Sequence, residues 1–186
     1  MQNRRGRRKP ASDESAPATP LTPEQVLRRT FQHAVKLLAA KSRSIGELRE
    51  RLLERPQTNE TTVEAVIARL REYGYLDDQR YAVGYASLKV RQRPVGRARL
   101  ERDLLFRKVS SDVAAEALDQ VFTETSEAEL LDRAIAKRLR LRGQPTTRAE
   151  AKKLFDHLLR QGFPFELVSE KVRAVMQIEM EDQDPF

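Results

Sequence analysis

The chain has 186 residues, with 35 Lys and Arg against 28 Asp and Glu, a formal net charge of +7 and a sequence pI of about 9.9. It has no cysteine, which excludes disulfides, thiolate catalysis and cysteine-ligated zinc, and no uncharged apolar run reaches the roughly 20 residues of a membrane span. A composition of 39% hydrophobic and 34% charged residues favours thin helices with much solvated surface over one thick core, and the basic balance favours an anionic partner, either nucleic acid or an acidic protein surface.

The N-terminus carries Arg4, Arg5, Arg7, Arg8 and Lys9, and then Pro10 to Pro20 where a secretory leader would be apolar. Residues 1–20 are therefore expected to form a disordered basic arm on a cytoplasmic protein. Order is predicted to begin at Leu21. Thr22 suits an N-cap, Pro23 the first helical position and Gln25 the partner of a capping box, with Leu21 and Val26 placed as a hydrophobic staple. The first helix carries Val26, Leu27, Phe31, Ala34, Val35 and Leu38. The second starts at Ser44, with Glu47 as box partner, and buries Ile45, Leu48 and Leu52. The third is predicted to start near Thr61, with Glu64 at its cap, and to end at Gly74.

Gly74 to Ala82 form a joint. Gly74 takes the left-handed turn that closes one helix, Tyr75 and Leu76 plug the gap, and Asp77 or Asp78 caps the next helix. The long–short–short rhythm then repeats. A long helix with Tyr81, Tyr85 and Leu88 breaks at Pro94-Val95-Gly96, and two shorter ones follow with Leu100, Leu104 and Leu105, then Val113, Ala117, Leu118 and Val121. A capping box at Ser126 and Glu129 opens the next long helix, Gly143 and Pro145 end it, and Thr147 with Glu150 caps the helix of Leu154 and Leu158. The last helix follows Gly162 and carries Leu167, Val168, Val172 and Val175.

Leu48, Leu100 and Leu154 align, as do Leu52, Leu104 and Leu158, and Ile67, Leu118 and Val172. The period is about 50 residues, that of a helical repeat. The expected fold is all-α: three tandem three-helix repeats over residues 21–75, 76–123 and 124–177 in an elongated, curved array, followed by an acidic tail at 178–186.

No catalytic constellation is legible. Asp77 and Asp78 are neighbours at a helix start and do not face each other as an acid–base pair must; capping, and an ion pair with Arg80, are expected of them. His33 and His157 lie in different repeats without metal-ligand spacing, and no glycine-rich phosphate loop is present. Neither an enzyme nor a bound cofactor or metal is expected. The functional signal is charge. Lys89 to Lys108 hold eight positives against two acids, and Arg133 to Arg160 nine against two. Each cluster straddles a break between a long helix and the next short one, so successive repeats should present similar basic corners.

The string Gly74-Tyr75-Leu76-Asp77-Asp78, followed by Arg80-Tyr81-Ala82, resembles the most characteristic stretch of the RecX family, the bacterial regulators of the RecA recombinase. The resemblance continues through Tyr85, Gly96, Arg99, Leu100 and Leu104, and through Arg160-Gln161-Gly162-Phe163 in the third repeat. It implies a monomeric, non-enzymatic helical-repeat protein that binds RecA and its single-stranded DNA filament, with weak non-specific DNA binding as an accessory. Such a protein damps recombinase, strand-exchange and ATPase activity. The candidate contacts are Arg91, Arg93, Arg97, Arg99, Arg102, Arg107, Lys108, Arg138, Arg140, Arg142, Arg148, Lys152 and Lys153. The alternative is a stand-alone DNA-binding protein using helix-turn-helix-like units. Two places depart from the family pattern. Pro56 and the polar run Gln57 to Thr62 replace a short turn, and Arg107-Lys108-Val109 stands where the family has Lys-Gly. A left-handed Lys108 costs about 1 kcal/mol relative to glycine, so another turn geometry is expected there.

Overall fold

The structure, a computed structural model, describes the backbone of residues 21–182 and the side chains through Met176. The expected basic arm lies outside the described residues, and of the expected acidic tail only the backbone to Asp182 is described. Among the described residues there are nine helices and no strand: α1 (Pro23–Ala40), α2 (Ile45–Leu53), α3 (Glu60–Glu72), α4 (Asp78–Gln92), α5 (Arg97–Phe106), α6 (Ser111–Glu124), α7 (Glu127–Arg142), α8 (Arg148–Arg160) and α9 (Phe165–Asp182). They group into three three-helix repeats.

Local chemistry sets most helix starts. Thr22 with Gln25, and Ser44 with Glu47, form reciprocal capping boxes. Helix α3 starts earlier than the Thr61 signal suggests. Asn59 Oδ1 accepts from Thr62 N–H at 2.9 Å, and a short amide side chain caps better than threonine. Asp77 caps α4 by accepting from Arg80 N–H at 2.9 Å. Arg80 does not pair with either aspartate; its guanidinium donates to the Gly74 carbonyl at 2.6 Å. The expected apolar plug is half realised: Leu76 is 3% exposed, whereas Tyr75 is 62% exposed.

The aligned leucines are the core. Leu48, Leu52, Leu100, Leu104 and Leu158 are fully buried and Leu154 nearly so, and truncating any of them to alanine costs about 2–5 kcal/mol. The buried side chains fall into two clusters and not three. One joins Ala34, Leu48, Leu52, Val63, Val66, Ile67, Leu70 and Leu76 within the first repeat. The other runs without a break through repeats two and three, from Ala82 to Val172.

Both joints between repeats follow one plan. The N-terminus of a repeat's second helix docks on the next repeat's second-to-third-helix turn, and the first residue of that repeat's long helix caps it. At the first joint Asp78 Oδ1 accepts from Ile45 N–H at 2.7 Å, and Ser44 Oγ donates to the Arg107 carbonyl. At the second, Glu127 Oε1 accepts from Arg97 N–H at 2.8 Å, and Gly96 N–H donates to the Gln161 carbonyl at 3.0 Å. Helix α5 has no side-chain cap of its own at Gly96, so its exposed amides are satisfied by the following repeat.

Lys108 departs from expectation. It adopts the left-handed conformation at φ 61°, with Lys108 N–H donating to Leu105 O at 2.9 Å and Val109 N–H to Leu104 O at 3.1 Å, the pair of bonds that closes a Schellman turn. The turn closes in the left-handed form without a glycine. Room for the lysine comes from the facing helix, where a Cβ on Gly46 would sit 2.3 Å from Lys108 Cβ.

Candidate functional site

Helix α7 ends where Gly143, at φ 76°, donates its N–H to Leu139 O at 2.8 Å, and the chain turns through buried Pro145 into α8. This corner opens a cleft of about 280 Å³ lined by Arg138, Arg142, Glu150 and Lys153. On the other side of Arg138, a second cleft of about 250 Å³ is lined by Arg93, Pro94, Lys137, Leu141, His157 and Gln161. Arg138 borders both, so the two clefts adjoin at its side chain as the two arms of a basic trough, Arg93 coming from the first charge cluster and the other cations from the second. Together the two arms are lined by five cationic side chains and one carboxylate.

That carboxylate is held in place. Glu150 accepts from Thr146 N–H at 3.0 Å and from Thr146 Oγ1 at 3.1 Å, and these bonds lower its pKa below the ordinary carboxylate range. Its carboxylate bonds chiefly to Thr146, beside the Thr147 cap, a variant of the expected box. His157 lies beside Arg138 in the trough. Partial burial, then the charges of Arg138 and Arg160, push its pKa below the ordinary histidine value, so at neutral pH it offers a neutral ring. Leu141 stands 65% exposed on the rim.

The thirteen candidate contacts separate by what holds them. Arg93, Arg138, Arg142 and Lys153 line the trough. Arg148 and Lys152 border a different groove, between α8 and α9. Arg140 is exposed and belongs to neither. Arg91 and Arg102 donate to carbonyls of their own helices, Ser87 O at 3.2 Å and Ala98 O at 3.1 Å. The other four are engaged within the fold, Arg97 inside its own repeat and the other three across the joints. Arg97 pairs with Asp119 at 2.7 Å, and Arg99 reaches the Arg160 carbonyl at 3.5 Å. Lys108 pairs with Glu50 at 3.0 Å.

Arg107 is the most heavily engaged of these. It meets Glu47 at 3.2 Å and Tyr81 Oη at 3.3 Å, and it lies 4.7 Å from the centre of the Tyr85 ring. Burial opposes its charge, but the two tyrosine hydroxyls outweigh that and raise its pKa above the usual guanidinium value. Tyr81 of the signature and Tyr85 one turn later thus serve a cation that bridges repeats. Lys137, Leu141, Glu150, His157 and Gln161 line the trough outside the thirteen candidate contacts. Helical spacing offers a signal for Leu141, one turn after Lys137, and for His157, one turn after Lys153.

Among the described residues no group of His, Cys, Asp or Glu gathers as metal ligands do, and no helix is long and apolar enough to cross a membrane.

A family model described as "RecX, second three-helix domain" matches residues 77–118, which span α4, α5 and the start of α6. The regulatory protein RecX of Prosthecochloris aestuarii is 30% identical over 149 residues, covering 80% of this chain and 95% of that protein. The regulatory protein RecX of Bacillus velezensis is 28% identical over 158 residues and longer: the chain spans 58% of its length. The crystal structure of RecX from Lactobacillus salivarius superposes with a TM-score of 0.72 at 17% identity, covering 83% of this chain and 99% of that one, a likeness of fold.

Proposed function

The chain belongs to the RecX family of regulatory proteins, and from that membership we propose that it binds the RecA nucleoprotein filament and lowers its recombinase, strand-exchange and ATPase activities without catalysis of its own. The observation that carries the reading is the pair of clefts adjoining at Arg138, lined together by five cations from both basic clusters and a single carboxylate. Such a surface attracts acidic protein and phosphate alike. Arginine supplies three of the five cations, and its planar fork suits bidentate contact with carboxylates. Exposed Leu141 on the rim adds an apolar contact that favours a protein partner, with DNA phosphates as accessory. The joints hold neighbouring repeats in fixed register, so the wedge offered to the filament is pre-shaped.

A stand-alone DNA reader has less support. The third helices expose Glu64, Asp112, Glu116, Glu166 and Glu170, which suit a phosphate-lined groove poorly. The deciding experiment titrates RecA's single-stranded-DNA-dependent ATPase with the full chain and measures filament co-sedimentation in parallel. Inhibition with co-sedimentation is expected. Undiminished turnover with no filament binding overturns the proposal, and sequence-preferring duplex binding without RecA supports the DNA reader instead.

A further inference from the structure

The first two repeats close the outer groove between their second and third helices with an arginine–carboxylate bridge. In repeat one Arg49 of α2 pairs with Glu64 of α3; in repeat two Arg97 of α5 pairs with Asp119 of α6 at 2.7 Å. Counting from the aligned core residues, Phe155 stands where repeat one has Arg49 and Ser169 where it has Glu64. Likewise Ala151 stands where repeat two has Arg97, and Arg173 where it has Asp119. Neither bridge can form in repeat three. Those four residues line an open groove of about 600 Å³ between α8 and α9, with Val172 and Ala149 adding to its apolar floor.

Two of the three cations on its rim lack a described acidic partner such as the other repeats supply. Arg148, Lys152 and Arg173 border the groove. Lys152 pairs with Asp156 at 3.0 Å, while Arg148 and Arg173 have no ion pair with a described carboxylate. Glu166 and Glu170 sit with Phe165 on a neighbouring shelf that Ser169 and Arg173 also border, so Arg148 on α8 is the cation farther from those acids and Arg173 stands at the boundary between groove and shelf. The two closed repeats identify what is missing: carboxylates laid across an apolar floor.

We propose that the α8–α9 groove docks an acidic amphipathic helix of a partner protein, its apolar face on Phe155 and Val172 and its carboxylates on Arg148 and Arg173. The groove uses a different flank of α8 from the trough, and the proposal does not rest on the RecA reading.

The test measures binding of a fluorescein-labelled 14-residue helical peptide, with glutamates at i and i+4 around leucines, by anisotropy with the full chain. The same peptide with glutamine for glutamate is the control. The acidic peptide should bind at least tenfold more tightly and lose affinity with salt. Arg173→Asp and Ser169→Glu, which restore the acids of repeats two and one, should each weaken binding about tenfold with unchanged helix content. Equal affinity of the two peptides, or full binding by both variants, overturns the proposal. Displacement of the peptide by oligo-dT at lower concentration reassigns the groove to nucleic acid. Concentration-dependent dimerisation abolished by Arg173→Asp reassigns it to a second copy of this chain.

Discussion

Asp78 Oδ1 accepts a 2.7 Å hydrogen bond from the backbone N–H of Ile45, 33 residues earlier in the chain. The second aspartate of the signature thereby caps a helix of the preceding repeat, while Asp77 caps its own. Burial raises the Asp78 pKa above the ordinary carboxylate value although the Ile45 N–H bond favours the charged form, so an uncharged acceptor of the same shape should serve the cap nearly as well. Asp78→Ala should cost about 1–2 kcal/mol of unfolding free energy, whereas Asp78→Asn, which keeps the acceptor, should stay within about 0.5 kcal/mol of the parent. Urea unfolding of the two variants checks this. An alanine variant as stable as the asparagine one removes the cap from the account.

The second joint makes a steric prediction. A Cβ on Gly96 would fall 2.3 Å from the carbonyl carbon of Gly162, and one on Gly162, at φ 90°, would fall 2.3 Å from Arg99 N. Both collisions are with backbone, which cannot rotate away. Gly96→Ala and Gly162→Ala should therefore each destabilise the chain by roughly 2 kcal/mol or more. Gly84, with open space around its Cβ direction, is the helical control and should gain stability as alanine. Thermal unfolding of the three variants separates packing from propensity.

Histidine 157 supplies a pH dependence. Its folded pKa is lowered, so below the ordinary value of 6.5 the unfolded chain takes up a proton that the folded chain resists. The stability it contributes is present above pH 6.5 and is lost as pH falls through the folded pKa. His33, lowered by burial and then by Arg55, Lys36 and Arg51, acts in the same direction. His157→Gln should remove part of the acid-side slope and leave the part due to His33. Because Arg138 is one cause of the shift, Arg138→Ala should raise the His157 pKa toward its ordinary value. An NMR titration of the ring proton reads this directly, and an unmoved midpoint counts against their proximity.

Arg138 is also the residue shared by both arms of the trough. Arg138→Glu should weaken filament binding about tenfold or more, comparable to losing one desolvated charge contact, and should flatten its salt dependence while leaving the melting temperature nearly unchanged. Arg140→Glu, on the same helix but outside the trough, should have a much smaller effect. Equal losses from both substitutions would point to bulk charge and not to the trough.

What the sequence disclosed, and what it withheld, divides by distance along the chain. Thr22 with Gln25 and Ser44 with Glu47 are legible because a cap acts within four residues. The aligned leucines are legible because helical burial has a period. Asp78 reaching Ile45, and Arg107 reaching Glu47 across 60 residues, depend on the angle between repeats, which no local pattern encodes. The left-handed turn at Lys108 is hidden from local pattern for the same reason: the space that tolerates it belongs to Gly46. The site followed this division. Charge density marked Arg93 and Arg138 separately, but only the fold joins them. It also consigns Arg97 and Arg107, equally prominent in the charge count, to internal bonds.

The two buried clusters count differently from the three repeats. Parting repeats two and three would expose the apolar face that runs from Ala82 to Val172, whereas repeat one is fastened to its neighbour by hydrogen bonds and by the Arg107–Glu47 and Lys108–Glu50 pairs. Water readily replaces such partly exposed ion pairs, each worth about 1 kcal/mol or less. Under mechanical load, or when the chain bends to follow a curved surface, the Asp78–Ile45 joint, which no shared apolar core backs, is expected to yield before the joint between repeats two and three.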